Sequence, residues 1–172
     1  MVSNYPYTDC HALILANGSY NGSRGRMPYR YCGPTCTELP TDENNGHGGS
    51  SGTGYPGWSN WRAGAPASNT GSWETWRGRR GDVARALFYL DIRYEGGFHG
   101  VTGDPEPDLI LTDDQDLIVT TAANTAEAAY MGMLSDLLAW NEEDPVDAWE
   151  IRRNSTVYSF QENRNPFIDH PE

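Results

Sequence analysis

Apolar positions along this chain fall into a few short patterned runs set between long polar ones. The first run lies at residues 9–15, where Leu13, Ile14 and Leu15 follow Asp9 and His11, and it predicts a short strand. The next residues, "NGSYNGSRGR", are rich in Gly, Asn and Ser and on propensity alone make a turn. In "RRGDVARALFYLDIRY" Val83, Leu87, Leu90 and Tyr94 step by four, three and four, which is one apolar stripe along a helix. A Gly-, Pro- and Asp-rich connection over 96–124 follows, with a short strand predicted at "DLILT". A second helix opens with Asn124 and Glu127 at capping-box spacing and carries Tyr130, Met133, Leu134, Leu137 and Leu138 on one side. A third has Asp144 as N-cap, Pro145 as its first residue and Asp147 in its first turn, and runs to about Phe160. Its aromatic residues fall at core spacing and read as packing.

Residues 33–72 break the pattern. Nine glycines lie between Gly33 and Gly71, among many Ser, Thr, Asn and Pro, with no helical period. The expectation is a long irregular, Gly-rich loop anchored by Trp58 and Trp61. The chain shows no internal repeat, and 172 residues is the size of one ordinary domain, predicted here as 1–172. Ten Tyr and six Trp are too many for a disordered chain. No apolar run approaches the ~20 residues of a membrane helix. The opening "MVSNYPYT" lacks the basic end and apolar core of a signal peptide, so the reading is a cytoplasmic chain or a processed or truncated piece of a secreted one.

Charge changes this picture. There is no Lys; up to Arg85 eight Arg stand against six acids, a balance of +2, and beyond it four Arg stand against eighteen, a balance of −14, which sum to −12. So negative a total argues against tight nonspecific binding to nucleic acid, while leaving room for a basic face on the first half. Arg77, Arg79 and Arg80 in "WRGRRGD", beside Trp76, fit a phosphate-contact cluster with an aromatic platform, and equally fit pairing with Asp82 or Glu74. Arg152 and Arg153 near Glu150 read as surface ion pairs, and Arg164 and Asn165 as pins for the tail. Of three cysteines, Cys32 and Cys36 flank a Gly-Pro turn; a local disulfide and free thiols both fit. A zinc site that adds Cys10 and His11 is disfavoured, because adjacent residues of a strand point to opposite faces.

The densest polar chemistry sits in "DCHALILANGSYNGSRG". His11 reads as a structural, hydrogen-bonding histidine or as a base. Asn17 and Asn21 each open an "NGS" triplet, which fits a turn and also the N-glycosylation pattern.

Four stretches in order, "DCHALILANGSYNGSRGR", "WRGRRGDVARALFYLDIRY", "LLAWNEEDPVDAWEIRRN" and "QENRNPFIDHP", resemble the bacterial endonuclease I family, secreted or periplasmic nucleases of the ββα-metal superfamily. The resemblance implies an α+β, helix-rich domain in which residues 17–24 form the short helix of the ββα unit. It implies that Asn21 is the ligand of a divalent ion (Mg²⁺, Ca²⁺ or Mn²⁺), and that Arg24 is the arginine following it. The substrate implied is DNA or RNA, cut by in-line attack of water to leave a 5′-phosphate. The family's Glu-His pair, which supplies a second ligand and the general base, belongs on a strand before Asp9, where this chain reads "MVSNYPYT". His11 matches a different family position; His47, His99 and His170 match none that carries the base. The family's "QGN" step appears as "QEN", with Glu162 in place of Gly. The expectations are low or absent cleavage, an apolar face uncovered by the missing first strand that promotes self-association, and, as the alternative, a non-catalytic nucleic-acid-binding or extracellular structural module.

Overall fold

A computed structural model describes residues 8–16, 18–39, 59–65, 70–120 and 128–171. The elements are α1 (Gly18–Arg24), β1 (Thr37–Leu39), β2 (Asn60–Ala63), β3 (Ser72–Glu74), a 3₁₀ turn (Arg77–Arg79), α2 (Arg80–Arg93), β4 (Leu109–Leu111), α3 (Gln115–Thr120), β5 (Ala129–Met131), α4 (Leu134–Glu143), α5 (Ala148–Gln161) and α6 (Pro166–Asp169). The mixture of helices and small sheets agrees with an α+β class.

The core forms around α2. Ala, Leu and Arg favour helix in "RGDVARALFYLDIR", and Asp82 in the first turn suits the helix dipole. Burial reaches well round the helix: Val83, Ala84, Ala86, Phe88 and Tyr89 are buried, while Leu87 and Leu90 of the predicted stripe are only half-buried. Val83, Ala84 and Phe88 pack with Leu111 of β4 and with Leu137 and Trp140 of α4. Tyr29 and Tyr31 set their rings edge-on to Trp140, at 6.4 and 5.7 Å between centroids. Each such large apolar side chain contributes about 1.5–3 kcal/mol when fully buried.

Arg85 is buried in this packing and answered on every side. Glu150 takes two of its N–H groups at 2.8 and 2.5 Å, and Asn141 and the Asp144 carbonyl take the others at 2.9 and 2.8 Å. Glu150 also completes a capping box at the start of α5. Asp147 Oδ1 accepts from the backbones of Trp149 and Glu150, at 2.7 and 2.8 Å, and Glu150 accepts from the Asp147 backbone at 3.3 Å. The helix therefore begins three residues later than predicted. Asp144 instead ends α4, and its carboxylate accepts from Gly81 N at 2.9 Å.

Other differences have local causes. Residues 9–15 form no strand: Ala12 N closes a turn onto Asp9 O at 3.0 Å, and the Asp9 side chain takes His11 N at 2.9 Å, which holds the backbone out of extended geometry. Leu13 and Leu15, expected as strand bulk, are exposed. The segment 33–72 is not irregular throughout, for β1, β2 and β3 form an antiparallel sheet in that order, with Glu38 opposite Trp61 and Trp61 opposite Glu74. Trp58 lies outside the described residues. The predicted strand at "DLILT" forms as β4, but its parallel partner is Ala129–Met131, which had been assigned to the second helix. Gly132 and the pairing of Tyr130 with Ile110 stop a helix from starting before Leu134. Asn124 and Glu127 lie outside the described residues, and α3 was not foreseen. The disulfide is Cys32–Cys36 and Cys10 is free. Among the described residues no helix is long and apolar enough to cross a membrane.

Candidate functional site

The segment around Asp9 is seated by a buried polar knot. Asp9 Oδ2 accepts from the hydroxyls of Tyr89 and Tyr94, at 2.7 and 3.0 Å; Oδ1 accepts from His11 N and from Gln161 Nε2, at 2.9 and 2.8 Å. Four donors thus hold a carboxylate that is only 5% exposed. Gln161 also accepts from Cys10 N at 2.8 Å and donates to Asn163 Oδ1 at 2.9 Å, and Asn163 donates to Tyr89 Oη at 2.7 Å. Burial and the Asp9 charge push both tyrosine hydroxyls well above their ordinary pKa, so they stay protonated as donors. Arg153 donates to the carbonyls of Cys10 and Leu13, at 2.5 and 2.6 Å. It pins this segment rather than forming the expected surface ion pair.

His11 sits inside the knot and is fully buried. Its Nε2 lies 3.1 Å from the Asn163 carbonyl, its ring packs 4.7 Å from that of Tyr89, and Nδ1 has no partner among the described residues. Burial lowers its pKa, outweighing the Asn163 carbonyl and Asp9, and keeps the ring neutral. The segment then leads into α1, the short helix expected over 17–24. Asn21 stands exposed on it. Arg24, in its last turn, donates to the Met27 carbonyl at 3.1 Å and lies 4.7 Å from the centre of the Tyr29 ring, so its guanidinium is engaged in the following turn.

The arginines before α2 divide. Arg80 pairs with Glu74 and, at 2.8 Å, with Glu143; Arg79 pairs with Asp82 at 2.6 Å. Arg77 is exposed and makes no ion pair among the described residues. Arg164 and Asn165 secure the tail: Arg164 pairs with Asp169 at 2.7 Å, and Asn165 caps α6 through Phe167 N at 3.0 Å.

A divalent ion of the Mg²⁺ type takes about six oxygen ligands. Asn21 offers one neutral oxygen, and among the described residues no three His, Cys, Asp or Glu side chains gather where an ion would fit. These residues alone do not make a metal site.

The family model for Endonuclease I matches residues 2–172. The chain belongs to the endonuclease I family. Two curated relatives are named extracellular ribonuclease. The one from Bacillus amyloliquefaciens is 41% identical over 168 residues, 97% of this chain and 45% of the relative. The one from Bacillus subtilis (strain 168) is 38% identical over 171 residues, 99% of this chain and 46% of the relative. The chain thus spans about half the length of these curated endonuclease I relatives. No solved structure matches it significantly.

The sequence alone had singled out Asp9 and His11 in this family member, but not Tyr89, Tyr94, Gln161 and Asn163, which hold them. Tyr94 read as part of an apolar helix stripe, Tyr89 was not singled out, and "QEN" read only as an altered family step.

Proposed function

We propose that this chain is part of a nuclease acting on nucleic-acid phosphodiesters, with Asn21 contributing one oxygen to a divalent ion. The observation that carries this is the exposed Asn21 on α1, just beyond a segment immobilised by the buried Asp9 knot, in a chain matched over 2–172 by the endonuclease I model. His11 is then a positioning residue, since a ring with no exposed surface has no path to a water or a phosphate. Of the four arginines named from sequence, Arg24 and Arg77 make no ion pair among the described residues, and Arg77 acts only through space on Glu143. Arg24, Arg79 and Arg80 orient the surface and reach phosphate only by sharing.

RNA is the first substrate to try, because the relatives are named ribonucleases, and their names also support secretion. The 172-residue chain has no Glu or His before Asp9. A positioned general base contributes about 10²–10⁴ in rate, and with His11 buried the expectation for this polypeptide is weak or no cleavage. The test is RNA digestion and plasmid nicking with Mg²⁺ or Mn²⁺ and an EDTA control, run beside Mn²⁺ binding measured by electron paramagnetic resonance. Weak Mn²⁺ binding that Asn21→Ala abolishes supports the reading. Mn²⁺ binding or metal-dependent cleavage indifferent to Asn21→Ala refutes its assignment. The alternative, a nucleic-acid-binding module without catalysis, is favoured by the buried His11 and gains if binding persists with no cleavage.

A further inference from the structure

The 3₁₀ turn before α2 and the first turn of α5 meet at Trp149. The Arg79 guanidinium carbon lies 4.5 Å from the centre of the Trp149 ring and 5.9 Å from that of Trp76, and that of Arg153 lies 6.0 Å from Trp149. Trp76 is folded over Gly78 so closely that a Cβ at 78 would approach its ring to 2.3 Å. Trp149 keeps 39% of its surface open, and the Arg79 side chain 36%. Arg152 and Arg153 follow at i+3 and i+4, beside Trp149 on the helix surface.

Arg79 is paired with Asp82 and Glu150 with buried Arg85, Arg77 acts through space on Glu143, and Asp144 lies within reach of the charges of Asp82 and Asp147. Arginines and acids are thus interleaved here, on a chain of net charge −12. This surface also adjoins the segment that precedes α1. Trp149 and Arg153 line the same small cavity as His11 and Ile14, and Ile14 belongs to the segment leading into α1.

We propose that Trp149, with Arg77 and Arg79, forms a subsite for one nucleotide of a single-stranded nucleic acid. A base stacks on the open indole surface, and the arginines take the adjoining phosphate. The inference rests on the nuclease reading above and adds to it a preference for unpaired bases, since a base inside a duplex has no free face to offer. Trp149 is the residue that separates it from a plain basic patch. Arg80, locked to Glu74 and Glu143, stands outside it.

The test is fluorescence anisotropy with labelled single strands about a dozen nucleotides long, RNA and DNA, in EDTA so that nothing is cut. Trp149→Ala is expected to weaken binding about tenfold or more while leaving the salt slope unchanged, and Trp149→Phe to restore part of the loss. Arg77→Gln should flatten the slope of log affinity against log salt by about 0.7. Gly78→Ala, which displaces the Trp76 ring without altering any charge, should also weaken binding, and Phe160→Ala, an exposed aromatic elsewhere on α5, should not. Circular-dichroism melts check that each variant is folded. A folded Trp149→Ala or Trp149→Phe that binds as the parent does overturns the subsite and leaves the nuclease reading standing. A duplex bound as tightly as the single strand overturns the preference. A parent chain that binds neither strand overturns both inference and reading.

Discussion

The negative charge of Asp9 is met by hydroxyl, amide and backbone donors rather than by a cation, and that decides what its removal costs. Hydrogen bonds to a charged group contribute about 1.5–3 kcal/mol each, and truncation strands their donors in the interior. Asp9→Ala is expected to destabilise the fold by about 3 kcal/mol, read from the urea midpoint at unchanged m-value. His11 makes the knot sensitive to acid. Its folded pKa lies below the ordinary 6.5, so between the two values the unfolded chain binds a proton that the folded chain does not. Stability from this group is complete above 6.5 and is lost as pH falls toward the folded pKa, by no more than about 1.4 kcal/mol per pH unit. Urea midpoints at neutral and mildly acidic pH should therefore diverge in the parent chain and converge in His11→Gln. Equal acid sensitivity in that variant would assign the effect elsewhere.

At the scale of elements, two exchanges involving glycine run against helix propensity in opposite senses. Alanine is about 1 kcal/mol better than glycine inside a helix, yet a Cβ on Gly81 would stand 1.9 Å from the Asp144 carbonyl and 2.5 Å from Arg85. Gly81→Ala should thus destabilise by about 2–4 kcal/mol, measured by thermal melting, because it separates α2 from the end of α4. Glu162 ends α5 with φ 62° and ψ 15°, a left-handed cap that glycine adopts without strain. Glu162→Gly should raise stability by about 1 kcal/mol.

These elements also mark how far the sequence could be read. The helix at 80–93, the strand at "DLILT" and the end of the third helix were legible in the sequence. The core spacing read for the third helix's aromatics was not borne out, since Trp149, Tyr158 and Phe160 are exposed and Glu150, Asn154 and Val157 are buried instead. The boundary at Asp147 was missed because Asp144 offers the same capping chemistry, and only Gly81 and the reach of Glu150 decide between them. β5 and the three-stranded sheet were missed because three- and four-residue strands are held by pairing across the chain, which local periodicity does not record. In the candidate site Asn21 and Arg24 were legible through resemblance. The pairing of Arg79 with Asp82 and of Arg80 with Glu74 was one of two open readings and is formed by acids close in sequence, to which α4 adds Glu143.

For the molecule as a whole, the contrast lies between a surface of strong net negative charge and one apolar stretch. Leu13, Ile14 and Leu15 are 53%, 37% and 101% exposed, in a segment without a ladder partner among the described residues. An uncovered apolar backbone edge invites pairing with another chain. The 172-residue polypeptide is expected to self-associate despite its charge, and Leu15→Glu to return it to a monomer by light scattering coupled to size-exclusion chromatography. A monomeric parent would remove this expectation.

The Asp9 knot also carries a statement about time. Its contacts join residues 9–13 to Tyr89 and Tyr94 and also to residues 153–163, so the knot closes only after all of these have been made. A growing chain that has emerged only as far as Phe160 has neither Gln161 nor Asn163 with which to seat Asp9 and His11. The segment before Asn21 is therefore made well before the residues that fix it in place. Whatever α1 does in the finished protein, the segment that leads into it is fully seated only once Gln161 and Asn163 are in place.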